Sequence, residues 1–165
     1  MSEFIRLHPL VFTLQDIVTG CGFLAGIVVT GKAVAEYEDE KWWMYGVCPG
    51  GIAGSGETLN EAFADLRNRY KEALFDMAEE YSHFSEFESA VKVFFEEDYE
   101  ENARWEDALK ILRKNENTIC EPFRSLPRKY PEDYEVGIRI DRLEKKNKSL
   151  LKPTDNIQDS FSKVA

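Results

Sequence analysis

Apolar positions along the chain change their period twice, and the changes mark the elements. Residues 23–30 (FLAGIVVT) form an unbroken apolar run ending in β-branched residues, the pattern of a buried strand. Gly31 allows a bend, after which residues 32–37 (KAVAEY) partly alternate. Residues 38–41 (EDEK) are a polar turn and residues 42–47 (WWMYGV) a second strand, so the two runs predict a hairpin. The second strand is apolar at both parities, with Trp43, Tyr45 and Val47 against Trp42 and Met44. A strand with one face in water should alternate, so its second face must also be covered, by the N-terminal segment, the C-terminal helices or another chain. Cys48-Pro49-Gly50-Gly51 breaks this strand, and residues 52–54 form a short third one before a turn at residues 55–57.

The period then becomes helical. Thr58 and Glu61 have the spacing of a capping box. Behind them Leu59, Phe63, Leu66, Tyr70, Ala73 or Leu74, Met77 and Tyr81 recur at three- and four-residue steps, one apolar stripe to lay on a sheet. Ser85 and Glu88 repeat the capping spacing and predict a second helix to about residue 97, with Phe87, Val91, Phe94 and Phe95 inward. Asn102 is placed to cap a third, with Trp105, Ala108, Leu109 and Leu112 on one side. Pro122, Pro127 and Pro131 mark an irregular segment, and residues 135–140 (EVGIRI) read as a strand. The expected fold class is α+β: a small antiparallel sheet of three to four strands packed against a long amphipathic helix, followed by additional C-terminal helices. The expected organisation is an N-terminal extension (1–22), an αβ domain (23–81), an acidic helical extension packed on it (82–140) and a polar, exposed or mobile tail (141–165).

Charge changes the picture more than overall composition does. Between Asp76 and Asp107 stand twelve acids and two bases, Lys92 and Arg104, an excess equal to the net charge of −10 of the whole chain. Such a field repels phosphate backbones and attracts basic proteins, so DNA is not an expected partner. The stretch reads either as a solvated helix surface or as a docking face for a basic protein. The basic-leaning residues 139–148 (RIDRLEKKNK) also hold two acids and read as solvated tail.

Three cysteines, Cys21, Cys48 and Cys120, are too sparse for a disulfide framework and fit a reducing, cytoplasmic compartment. No Cys/His cluster has metal-ligand spacing, so neither a metal nor another cofactor is expected. The uncharged residues 17–31 number fifteen, carry four glycines and follow no basic segment. They are too short for a membrane span and read as sheet.

Gly51 to Thr58 has the glycine spacing of a phosphate-binding P-loop, but Glu57 stands where that motif needs a lysine to neutralise phosphate. The reading that remains is a glycine-rich connection into a capped helix. His8 and His83 lie in no nucleophile motif, so no catalytic residue is assigned and an enzyme, a hydrolase included, is disfavoured.

The order of elements resembles the HicB antitoxin family. The residues that carry the resemblance are Ala33 to Tyr37, Trp42 to Val47, Cys48-Pro49-Gly50-Gly51, Gly56-Glu57-Thr58-Leu59 and Glu61-Ala62, and they cover roughly residues 23–80. The resemblance implies a degenerate RNase H-like αβ domain that neutralises a small basic RNA-cleaving toxin by covering it. The chain departs from the family pattern in its N-terminal segment, its greater length, and an acidic, helical C-terminal half in place of a ribbon-helix-helix or helix-turn-helix. The expected function is therefore a protein-binding module, antitoxin-like, for a basic partner. The alternative is a stand-alone immunity or regulatory interaction protein on the same scaffold, and self-association into a homo-oligomer is open. The expected partner-binding residues are Trp42, Trp43, Tyr45, Glu96, Glu97, Asp98, Glu100 and Glu101.

Overall fold

Asp39 and Glu40 both take positive φ, 54° and 62°. Paired left-handed residues give the twist that a two-residue hairpin needs. They fold β2 (Leu24–Glu38) onto β3 (Lys41–Cys48), with Glu38 opposite Lys41 and Ala35 opposite Met44. The bend expected at Gly31 is instead a change of neighbour along one continuous strand. Residues 24–30 pair with β6 (Gly137–Leu143) and residues 32–38 with β3. A Cβ on Gly31 would lie 2.3 Å from the Cys48 carbonyl oxygen and 2.5 Å from the Phe12 ring, so the crossover point has no room for a side chain.

The computed structural model describes residues 7–114, 119, 121–143 and 159–164. Cys120 and most of the expected polar tail (144–158 and 165) lie outside the described residues, as does the start of the expected N-terminal extension (1–6). The sheet has seven strands in the order β4-β3-β2-β1-β7-β5, with β6 beside β2. This overturns the expected sheet of three to four strands, although the α+β class stands. The extra strands come from segments whose pattern does not alternate. β1 (Leu7–Thr19) occupies the stretch read as an N-terminal extension and pairs with β2 along its whole length. Its His8 and Asp16 are buried among apolar neighbours, and Pro9 sits inside it, which hides the strand from a pattern search. β7 (Ser160–Val164) comes from the expected tail and pairs with the other edge of β1. Two residues, Arg128–Lys129, form β5, parallel to β7.

Register divides the sheet into two faces. Leu10, Phe12 and Leu14 share one face with Ala33, Val29 and Met44. This face is covered by α1 (Leu59–Glu80) and by Phe87 and Val91 of α2 (Phe84–Phe94). Val11, Val34 and Val47 share the other, covered by Trp105 and Leu109 of α3 (Tyr99–Lys114), and the Trp105 indole N–H donates to the Leu10 carbonyl at 3.1 Å. Both faces of β3 thus have a helix against them, α1 on one and α3 on the other, but α3 covers Val47 while leaving Trp43 and Tyr45 half-buried. β1 and β2 lie at the centre of the sheet; residues 8–12 of β1 are buried at both parities, whereas from Thr13 to Thr19 burial alternates and Ile17 is exposed.

The caps differ in detail from the expected ones. The Glu61 amide donates to Thr58 Oγ1 at 3.1 Å, but the Glu61 carboxylate accepts from the Glu57 amide at 2.8 Å, one residue before the cap. α2 begins at Phe84 with His83 at the N-cap and no side-chain cap, so Ser85 lies inside its first turn, where its carbonyl accepts from the Ser89 hydroxyl. α3 begins before Asn102. Asp98 caps it through Oδ1, which accepts from the Glu101 amide at 3.0 Å, while Asn102 Oδ1 accepts from Lys32 Nζ at 2.6 Å.

His8 is 1% exposed and stacks on Phe123 with ring centres 4.0 Å apart. Its Nδ1 donates to the Pro9 carbonyl at 3.1 Å, while Nε2 has no partner among the described residues. Burial, with Lys163 nearby, lowers its pKa from 6.5 to about 4, the Pro9 bond only partly opposing this. A depressed folded pKa means the unfolded chain binds the proton first. The stability this gives is complete above the unfolded pKa of about 6.5 and is lost as pH falls toward 4. Urea unfolding at pH 7.5 and pH 5 should show wild type losing about 2 kcal/mol more than His8→Phe over that interval.

Candidate partner-binding surface

The hairpin turn sets the register that builds the candidate surface. Counting back from Glu38 opposite Lys41 places Glu36 opposite Trp43, and Val34 opposite Tyr45. Trp43 and Tyr45 project from the α3 side of the sheet and stack with ring centres 6.0 Å apart and planes 10° from parallel. α3 passes beside them, and its Arg104 guanidinium lies 5.4 Å from the Tyr45 ring centre. Arg104 also bonds Glu36 at 2.9 Å and Glu101 at 2.9 Å. Burial works against the charge of Arg104, but Glu101 and Glu36 outweigh it and hold the guanidinium above its ordinary pKa. Burial, followed by the negative field of Glu36 and Glu38, pushes the Tyr45 phenol upward, so it remains a neutral hydrogen-bonding group. The result is a half-buried aromatic pair edged by carboxylates.

Trp42 does not belong to this surface. It points to the opposite face, where it meets Tyr37 at 5.1 Å and the edge of Phe123 at 5.4 Å. The three expected aromatic residues therefore divide, two to the α3 side and one into the packing around Phe123.

The acidic run divides too, for a reason its sequence does not show. After α2 the chain must cross from one face of the sheet to the other, and residues 95–98 make the crossing at the β3–β4 turn. The Gly50 amide donates to the Glu96 carbonyl at 2.9 Å and the Asp98 amide to the Val47 carbonyl at 2.8 Å. A Cβ on Gly50 would meet Asp98 Cβ at 2.5 Å, so the crossing needs glycine below it. The Cys48 thiol donates to the Phe95 carbonyl at 3.2 Å, and burial raises its pKa to about 11. Glu97 lies 3.7 Å from Lys32 Nζ, which in turn sits 4.3 Å over the Trp105 ring. Asp98 caps α3 and Glu101 holds Arg104. Three of the five acids are thus engaged, Glu97 with Lys32 of the sheet and Asp98 and Glu101 within the first turns of α3, leaving Glu96 and Glu100 exposed and without an ion pair among the described residues.

Glu36, Glu38 and Arg104 belong to this surface and were not among the expected residues. Glu36 could have been placed by counting register from the turn, whereas Arg104 depends on where α3 crosses the sheet.

The P-loop spacing of residues 51–58 is filled by sheet. Gly50–Gly56 is β4, in which Gly54 and Gly56 face the start of α1, Gly50 faces Asp98, and Gly51 takes a positive φ of 71°. Among the described residues no group of three His, Cys, Asp or Glu side chains could hold a metal ion, and no helix is long and apolar enough to cross a membrane. Comparison with protein-family models, with curated proteins and with solved structures finds no match for this chain.

Proposed function

We propose that the protein acts by binding another protein, and that it is an antitoxin-like module which neutralises a small basic partner by covering it, in a reducing cytoplasmic setting. The observation that carries this reading is the stacked Trp43–Tyr45 pair on the α3 side, edged by Glu36, Glu38 and Arg104. Tryptophan, tyrosine and arginine are the residues that most often dominate binding energy at protein interfaces. The excess of acids from Asp76 to Asp107 supplies a field that speeds the approach of a basic surface.

Steering and holding are separable. Glu96 and Glu100 are exposed and can be neutralised without disturbing α3, unlike Glu97, Asp98 and Glu101. Glu96→Gln with Glu100→Gln should slow association with the copurifying basic partner by roughly two- to threefold, and the difference should shrink as salt screens it. Trp43→Ala should leave association nearly unchanged and speed dissociation by roughly tenfold or more. Surface binding kinetics at two salt concentrations read both. An association rate indifferent to salt and charge, with dissociation indifferent to Trp43→Ala, would remove the reading.

A further inference from the structure

A second unpartnered surface lies on the opposite side of the sheet, between α1 and α2. Met77 of α1, Tyr81 just after its end, and Ser85, Ser89, Val93 and Phe94 of α2 line an open groove of about 690 Å³. Its floor is firmly backed, since Phe94 stacks on buried Tyr70 at 5.8 Å and α2 is anchored by Phe87 and Val91. Val93 is 63% exposed although the buried face of its helix is already occupied. Ser85, Ser89 and Val93 follow one another at four-residue steps, so the wall runs straight for about 12 Å, two helical turns. Small side chains at Ser85 and Ser89 keep that wall low.

The groove sits in a negative field. Glu86 lies on its lip, and Glu79 and Glu80 are exposed beside Tyr81. The two bases of the acidic stretch are both engaged, Lys92 with Glu88 at 3.8 Å and Arg104 with Glu36 and Glu101.

We propose that this groove takes an amphipathic helix of a basic partner protein. The apolar face of that helix lies on Met77, Val93 and Phe94, and its lysine or arginine side chains meet the acidic lips. The inference rests on the reading of the protein as a binder of a basic protein. A straight groove two turns long suits a helix presenting anchors three and four residues apart. A second copy of this chain is a poor occupant, because two surfaces from chains of net charge −10 would bring acidic lips together, and like charges facing one another oppose association.

The test uses the full chain and three synthetic helical peptides: one with leucines along one face and lysines on the other, a serine/lysine peptide of equal charge, and a leucine/glutamate peptide of equal apolarity. Calorimetry should show binding of the leucine/lysine peptide alone. Val93→Asn, at an exposed position that the fold does not need, should weaken that binding by roughly tenfold, and Glu86→Lys by several-fold. Equal binding of the serine/lysine peptide, or an affinity indifferent to Val93→Asn, would overturn the proposal. So would a concentration-dependent dimer that Val93→Asn dissolves, which would give the groove to a second copy. If the peptide fails while salt- and Trp43-dependent association with the copurifying partner persists, the groove falls alone. If that association fails and the peptide result holds, the aromatic surface falls and the groove stands.

Discussion

Gly54→Ala should be among the most damaging single-methyl changes available in this chain, costing about 3 kcal/mol or more. A Cβ at that position would stand 2.3 Å from the Leu66 amide nitrogen and 2.4 Å from the Ala62 carbonyl oxygen. Both atoms belong to the backbone of α1, so no side-chain rotation relieves the contact and the helix itself must move. Leu66 and Ala62 are fully buried, and lifting α1 would open the larger of the two cores along its whole length. Gly137→Ala is the matched control. A Cβ there meets nothing within 4 Å and the backbone is not left-handed, so the change should be neutral or stabilising by up to about 1 kcal/mol. Urea denaturation of the two variants beside wild type measures both values. Equal stabilities would mean that α1 does not sit against β4 as described.

The same glycines show where a sequence reading goes astray. Spaced glycines between a strand and a helix are read as a phosphate cradle or a loose connection, because both need backbone without side chains. Close packing of a helix on a strand needs the same thing, and nothing in residues 51–58 distinguishes the cases except Glu57. The hairpin was legible because its turn is polar and both flanking runs are apolar. The α1 stripe was legible because twenty-two residues give six turns of repetition. Trp105, Ala108, Leu109 and Leu112 were read correctly as one buried side of α3. β1 was not legible as a strand. Its buried His8 and Asp16 take the places where alternation would put apolar residues, and their burial depends on Phe123 and Arg67, far away in sequence.

The binding surface was legible in part, for a related reason. Residue type alone pointed to Trp43 and Tyr45, and strand parity separated them from Trp42, but which parity faces α3 is decided by the crossing at residues 95–98. A cluster of acids in sequence shows only its local partners. The three-residue spacings of Glu101 with Arg104 and of Asp98 with the Glu101 amide are visible there, whereas Lys32 meets Glu97, and Glu36 meets Arg104, only through tertiary packing.

Arg67→Met should produce a comparable or larger loss, about 3 to 5 kcal/mol near pH 7, through a different mechanism. The Arg67 guanidinium reaches from α1 to Asp16 of β1 at 2.6 and 3.0 Å, to Asp159 just before β7 at 2.6 Å, and to the Gln15 carbonyl at 3.1 Å. Asp16 has a side chain only 5% exposed, while Asp159 is 35% exposed. Without Arg67 the carboxylate of Asp159 can still be hydrated, but that of Asp16 is left charged in the core. Burial already raises the Asp16 pKa, with Arg67 only partly drawing it back. A carboxyl whose folded pKa is raised contributes stability that is complete below its unfolded pKa and lost as pH rises through the folded one. Removing Arg67 raises the folded pKa further, so the deficit of the variant relative to wild type should be largest near pH 7 and shrink toward pH 4.5 as Asp16 takes up its proton. Comparing variant with wild type at each pH cancels the titration of His8, which both share. Adding Asp16→Asn to Arg67→Met should restore most of the loss at pH 7, because it removes the buried charge and keeps its shape. Asp16→Asn alone should cost less than Arg67→Met, since Arg67 retains Asp159 and the Gln15 carbonyl. An ordinary surface ion pair would behave otherwise, with a deficit under about 1 kcal/mol at every pH. A small, pH-independent deficit with no rescue by Asp16→Asn would therefore show that the bridge does not join α1 to the sheet from within the core.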